Sequence, residues 1–374
     1  MDKIRMVDLH KQYLAIKTDI DAAIQQVLNE TAFIQGPQVK KFAEEFATYN
    51  KVPHVIPCAN GTDALQIALM CLGLRPGDEV ILPVFTYVAT AEVIALLQLK
   101  PVFVDVCADD FNMDVGQIES KITERTKAIV PVHLFGQCAD MNPLLSLAAV
   151  HGLAIVEDAA QAIGSTYTLS DGEVKMAGTM GSIGCTSFFP SKNLGCFGDG
   201  GAMLTNDAQL ADRLYQIANH GQKRKYYHDS IGVNSRLDTL QAAILSVKLR
   251  RLTEYTLRRQ RVADRYDEAF AGIGGLVVPR RLAGRNHVFN QYTIQVAPGT
   301  RDDLKNYLAG KEIPTMIYYP LPLHLQTAYK QASTAEGAFP VSERLSKSVL
   351  SLPIHTEMSL EQIDYICEAV KSYF

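Results

Sequence analysis

An α/β fold is predicted for this chain, with a large domain built on a mostly parallel sheet covered by helices and a smaller α+β domain at the C-terminal end. Three features predict it. Between about residues 55 and 205, short β-rich apolar runs alternate with helix-like segments, the pattern of parallel strands joined by helical crossovers. A long helical pattern rich in Gln, Ala, Leu and Arg then covers about residues 237–270. After Gly272–Gly275 the pattern changes to one strand, a helix, a Pro-rich loop and a last helix. These shifts set a large domain at 1–245, including an N-terminal helical segment, and a small domain at 246–374.

Seven strands are expected, at His54–Pro57, Glu79–Leu82, Pro101–Val106, Ala128–Val132, Leu153–Glu157, Gly184–Phe188 and Gly201–Thr205. Helical patterns lie between them at Thr62–Leu72, Val88–Leu99 and Met141–His151. In the smaller domain the strand is placed at Phe289–Gln295, the helices at Asp302–Leu308 and Leu360–Tyr373, and the Pro-rich loop at Pro314–Pro322. Short crossovers between parallel strands favour a right-handed, doubly wound sheet, whose ligands gather at the carboxyl ends of the strands.

The composition narrows the function. With 374 residues and 47% hydrophobic content, the chain can bury a sizeable core. A formal charge of -4 offers no field for a nucleic-acid backbone. The seven cysteines lack C-x-x-C pairs or Cys/His ligand spacing and read as buried reduced thiols, so no metal site is expected. The N-terminus interleaves charged and apolar residues without a secretory pattern. Val88–Leu99, the most apolar stretch, is interrupted by Glu92 and Gln98 and is too short to span a bilayer. A cytoplasmic protein with no membrane partner is the expectation.

Four segments are suited to chemistry. Lys192 follows the apolar run Ser187-Phe188-Phe189 and precedes Gly195, Gly198, Gly200 and Gly201, a setting that lets a ligand approach the backbone. Desolvation there would strip part of its charge, as a Schiff-base lysine requires, although the segment alone also fits a solvated turn lysine. The strand Leu153–Glu157 ends on Glu157-Asp158, and a carboxylate at that place can pair with a protonated ring nitrogen or simply cap a helix. Asn60-Gly61-Thr62 leads from a strand into a helix whose first amides suit a phosphate, or merely form a turn. Phe85 and Tyr87, at the next strand end, could stack on a flat ring or pack in the core. Lys223–His228 interleaves basic and aromatic residues, fitting a diphosphate and a base or an ordinary solvated loop.

Together, Asn60–Leu65, Glu157–Gln161, Ser187–Gly195 and Gly232–Asp238 resemble the motifs of the DegT/DnrJ/EryC1/StrS sugar-nucleotide aminotransferases, and the likeness runs along essentially the whole chain. The resemblance implies a fold-type I pyridoxal-phosphate transferase with a mixed, mostly parallel sheet. It makes Lys192 the lysine that holds the cofactor and shuttles the proton, with Asp158 against the pyridinium nitrogen and Gln161 on the phenolic oxygen. Tyr87 would stack on the ring, while Gly61, Thr62 and Ser187 would hold the phosphate. Asn234 would reach the phosphate of the neighbouring subunit's cofactor, which implies a homodimer with shared sites. Arg236, Tyr318, Tyr319 and His324 would face the sugar.

The Cys58–Leu69, Cys185–Gly201 and Val233–Arg236 stretches are most similar to the branch acting at C3 of UDP-linked N-acetylated keto-uronic acids, with L-glutamate as amino donor. That branch tends to have His-Tyr-Pro where this chain has Tyr318-Tyr319-Pro320, which removes a cation and leaves open a 3- or 4-keto-6-deoxy sugar on dTDP or UDP. Family dehydratases carry histidine at the position of Lys192, so the lysine points to transamination. A non-catalytic, cofactor-binding regulator is the alternative of another class.

Overall fold

The computed structural model describes residues 2–330 and 334–374. Seven strands form the central sheet, in the spatial order His54–Cys58, Gly201–Thr205, Ile183–Ser187, Ala154–Asp158, Thr126–Ile129, Glu79–Pro83 and Lys100–Val104. Gly201–Thr205 is antiparallel to both its neighbours, and the other adjacent pairs are parallel. All seven expected strands are present, their ends displaced by no more than a few residues. The reversed strand has a local cause. A parallel return needs a crossover of about a dozen or more residues, usually a helix, whereas residues 188–200 form a helix-free loop that folds straight back.

Side chains alternate across the sheet, as period-two strands require. Val80 and Leu82 join one apolar cluster with Val156, Cys185 and Met203, beneath the helices Gly61–Cys71, Ala89–Leu96 and Ala208–Ala218. Ile81 and Ile155 face the other side, in a cluster with Leu144 and Ala148 of the helix Met141–His151. Next to it, Phe42 and Phe46 of the N-terminal helix Pro37–Asn50 meet Phe188, Leu204 and Leu245. Phe188 stands edge-on to both phenylalanines, with ring centroids 5.3 and 5.4 Å away.

The helical pattern of 237–270 is two helices, Thr239–Leu249 and Leu252–Phe270. The break falls at Arg250–Arg251, where the Arg251 amide bonds three residues back, to the Lys248 carbonyl, at 3.0 Å. Beyond it, Leu276–Val277, Tyr292–Val296 and Val349–Leu352 form a small antiparallel sheet over a separate apolar cluster. Ile4, from the other end of the chain, is buried in that cluster. The strand expected at Phe289–Gln295 begins only at Tyr292, which frees residues 289–291 from the ladder.

Asp105, at the end of the strand Lys100–Val104, accepts hydrogen bonds from the amides of Val341 and Ser342, each at 2.9 Å, and from the Ser342 hydroxyl. These lie in the first turn of the helix Pro340–Ser348, so one carboxylate fastens a late segment to the main sheet at the positive end of a helix dipole. All seven cysteines are free, but Cys107 is exposed, unlike the buried thiols expected. No helix among the described residues is long and apolar enough to cross a membrane.

Phe46 is almost fully buried and touches both Phe42 and Phe188. Phe46→Ala is expected to cost about 3–5 kcal/mol of stability, read as a lower midpoint in thermal or urea unfolding. An unchanged midpoint would show that the N-terminal helix is not part of the main core.

Candidate active site

The strand from Ala154 to Asp158 separates its two terminal carboxylates, because successive side chains point to opposite faces. Glu157 is wholly buried and accepts from the amides of Gly178 at 2.9 Å, Met180 at 2.7 Å and Gly181 at 2.5 Å. His133 Nε2 lies 2.8 Å from the same carboxylate, and its Nδ1 accepts from the Ala139 amide at 3.0 Å, which puts the ring proton on Nε2. Glu157 is therefore fully engaged inside the fold. Asp158 faces the other way, accepting from the Thr90 hydroxyl at 2.9 Å and the Ala160 amide at 3.1 Å, and it lines a cavity of about 620 Å³.

That cavity opens at the carboxyl ends of the strands, where a doubly wound sheet places its ligands. Gly61, Thr62, Tyr87, Asp158, Gln161, Ser187, Lys192, Tyr318 and Tyr319 all line it. Asn60 caps the helix Gly61–Cys71 by accepting from the Asp63 amide at 2.8 Å. The amides of Gly61 and Thr62 have no partner within the helix and carry the positive end of its dipole. Gly61 is needed there for space, since a Cβ would stand 2.7 Å from that of Ser187.

Lys192 projects from the loop between two strands, and its amine has no hydrogen-bond partner among the described residues. Burial lowers its pKa from the ordinary lysine value to about 8, with the Asp158 carboxylate pulling the other way. Gln161 Oε1 accepts from the Phe135 amide at 2.8 Å, and Nε2 donates to the Tyr319 hydroxyl at 3.1 Å. Burial pushes the Tyr319 phenol well above its usual value. Tyr87 is 58% exposed, with its ring centroid 6.4 Å from that of Tyr319.

Three of the sequence-predicted residues do not line the cavity. His324 is wholly buried, with Nε2 3.0 Å from Glu343 Oε1, so its ring is turned into the fold and away from the sugar position expected for it. Asn234 and Arg236 lie outside, and Arg236 Nε donates to Asn234 Oδ1 at 2.8 Å. Residues Lys223–His228 form an exposed hairpin in which Arg224 covers the Tyr227 ring at 3.6 Å. Sequence reasoning passed over Thr86, Asn290 and Gln291, which line the cavity, and Thr90, which supports Asp158. Thr86 and Thr90 stood inside a segment read only for its aromatics. Asn290 and Gln291 belong to the stretch released from the expected strand.

The donor set fits pyridoxal phosphate. A desolvated amine, a carboxylate for a cationic ring nitrogen, and uncommitted helix amides for a phosphate share one cavity. The buried Thr86 hydroxyl has no partner among the described residues, as expected of a wall built for a polar ligand. In cofactor-free protein, modification of Lys192 by an aldehyde reagent, measured as wild type minus Lys192→Ala, is expected to rise with a midpoint near pH 8. Asp158→Asn removes the charge favouring the ammonium and should move the midpoint lower. A midpoint near the ordinary value of about 10.4 would contradict the desolvated setting.

The model of the DegT/DnrJ/EryC1/StrS aminotransferase family matches residues 14–371. A relative from Geobacillus stearothermophilus, named a pleiotropic regulatory protein, is 46% identical, covering 99% of this chain and 98% of its own. The UDP-2-acetamido-2-deoxy-3-oxo-D-glucuronate aminotransferase of Pseudomonas aeruginosa is 44% identical, covering 98% and 99%. Among solved structures, S. venezuelae DesV superposes with a TM-score of 0.95 at 40% identity, over 100% of this chain and 99% of its own. NtdA of Bacillus subtilis, solved with the bound cofactor PMP, has a TM-score of 0.90 at 31% identity, over 100% of this chain and 85% of its own. The fold is that of the fold-type I transferases, the cofactor is pyridoxal phosphate, and the chain belongs to the DegT/DnrJ/EryC1/StrS aminotransferase family.

Proposed function

We propose that this enzyme moves an amino group from L-glutamate to a nucleotide-linked keto sugar, at C3 of a UDP-linked 3-keto-N-acetyl-hexuronate, in the making of a bacterial surface polysaccharide in the cytoplasm. The convergence of Lys192, Asp158 and the first-turn amides of Gly61 and Thr62 in one cavity carries the transaminase reading. The 44% identity to the Pseudomonas enzyme supports the choice of sugar.

When bound, pyridoxal phosphate supplies the carbonyl that receives the amino group and the ring that spreads the electrons of the breaking C–H bond. The residues of the chain do the rest. Lys192 would hold the cofactor and could take up and return a proton at its amine; a pKa near 8 leaves a useful fraction of that amine neutral at physiological pH. Asp158, fixed by Thr90 and the Ala160 amide, would be the carboxylate that pairs with the ring nitrogen. Gly61, Thr62 and Ser187 hold the phosphate. Gln161 has a second amide hydrogen beyond the one given to Tyr319, which would serve the phenolic oxygen. Tyr87 would stack on the ring, and Tyr318 and Tyr319 would bound the sugar side.

Asn234 and Arg236 serve a site other than the one in their own chain. In the homodimer, Asn234 of the partner subunit reaches the cofactor phosphate, and Arg236 of the partner subunit reaches an anionic part of the substrate through its forked guanidinium. That Asn234 and Arg236 lie outside their own cavity supports this division of labour.

Tyr318 favours a second sugar, because a tyrosine provides no cation for a uronate, and a dTDP- or UDP-linked keto-6-deoxyhexose then becomes the acceptor. The name of the Geobacillus relative favours a regulatory reading, against which stand the lysine, carboxylate and glutamine retained together in the cavity.

The holoenzyme is expected to be yellow, to bleach with L-glutamate and to regain its colour with the UDP-3-keto-hexuronate; recovery with the keto-6-deoxy sugar alone would select the second acceptor. Protein that stays colourless with added cofactor would end the transaminase reading. Lys192→Ala should abolish turnover. Mixing Lys192→Ala with Asn234→Ala protein should restore activity through hybrid dimers that hold one intact site, and no recovery after confirmed subunit exchange would refute the shared site.

A further inference from the structure

Lys248 is a cation buried in the main core, only 2% exposed, near the end of the helix Thr239–Leu249. Its ammonium donates to the Gly195 carbonyl at 2.6 Å and stands 5.1 Å from the centre of the Phe197 ring. No carboxylate pairs with it among the described residues, and the one titratable group acting on it is the Cys196 thiol. Burial alone lowers its pKa to about 8. An apolar residue of the same length would pack there without that desolvation cost. What the lysine adds is a grip on a single carbonyl.

That carbonyl lies in the loop that carries Lys192. The loop is pinched at its base, where the Cys196 amide bonds the Phe188 carbonyl at 2.8 Å, and it is turned tightly by a bond from the Lys192 amide to the Phe189 carbonyl at 2.9 Å. Gly195 passes so close to the Pro190 carbonyl that a Cβ there would collide with it. One heptad before Lys248, Gln241 accepts from the Phe197 amide at 2.8 Å. One face of one helix therefore holds the returning arm of the loop at two points, Gly195 O and Phe197 N.

We infer that Lys248 is a positioning residue that clamps the Gly195 carbonyl and so holds the Lys192 amine at its desolvated place in the cavity. The inference rests on Lys192 being the cofactor lysine. With the clamp gone, the loop arm is free to loosen and water gains access to the Lys192 amine, on which the Asp158 carboxylate acts.

The test compares Lys248→Met, which keeps the length and removes the donor, with Lys248→Arg, which keeps a cationic donor. In cofactor-free protein the pH midpoint of Lys192 modification should rise by about one unit in the Met variant, a tenfold change in the proton equilibrium. Its dissociation constant for pyridoxal phosphate, from dialysis or fluorescence, should rise about tenfold, with the Arg variant within about threefold of wild type. The thermal midpoint of the Met variant should not fall in step, since exchanging a buried charge for an apolar residue is often neutral or stabilising. If the Met variant does not fold, Lys248→Leu, which also lacks a donor, is read against Lys248→Arg by the same measures. An unchanged midpoint and affinity without the donor, or an Arg variant as impaired as the Met variant, would overturn the clamp. A wild-type midpoint at the ordinary lysine value would instead overturn the reading of Lys192 on which it rests.

Discussion

Because residues 188–200 contain no helix, the chain leaving the strand Ile183–Ser187 has to return antiparallel, and Lys192 is carried on that return. The backbone of Gly195 crosses close over Pro190, so the loop is tightly turned there. The neighbouring features are placed around it. The helix Gly61–Cys71 begins against Ser187, the last residue before the loop. Asn193, one residue past the lysine, donates to the Val288 carbonyl at 2.9 Å and accepts from Asn290 at 3.2 Å, which ties the loop to the segment that leads into the small sheet. A shift in the loop would disturb the phosphate end and the far wall of the cavity together.

The electrostatics follow from the same economy of placement. Two adjacent carboxylates at a strand end would repel each other in a low-dielectric interior if both faced the ligand. The alternation of the strand prevents it, giving Glu157 three amides and a histidine on the buried side while Asp158 faces the cavity. The amine of Lys192 is then held between two influences, burial that favours the neutral form and one carboxylate that favours the charged one.

Much of this was legible in the sequence because the relevant residues sit in short contiguous motifs at strand ends. Alternating apolar runs located every strand of the main sheet, and the glycines after Lys192 marked its loop. Other parts had no such local signal. Asn290 and Gln291 enter the cavity because the ladder of the small sheet starts at Tyr292, which depends on pairing with Val349–Leu352, some sixty residues further on. His324 was read from its place in a motif, yet its ring turns inward because Glu343, nineteen residues later, offers a buried acceptor. The division of the 237–270 helix falls at Arg250–Arg251, two good helix formers, so tertiary packing rather than propensity decides it. Lys248 and Gly195 are also far apart in sequence, and their contact emerges only from the fold.

The amide of Gln161 is not free to turn over. Its oxygen is committed to the Phe135 amide, so its nitrogen must donate to Tyr319, whose hydroxyl oxygen is thereby used as an acceptor. The phenol is pushed far from ionising and keeps its own hydrogen, for which the described residues provide no acceptor. Tyr319 therefore acts as a polarity filter at the cavity wall: a guest that offers an oxygen lone pair at that spot is welcomed, and one that offers another hydrogen is turned away.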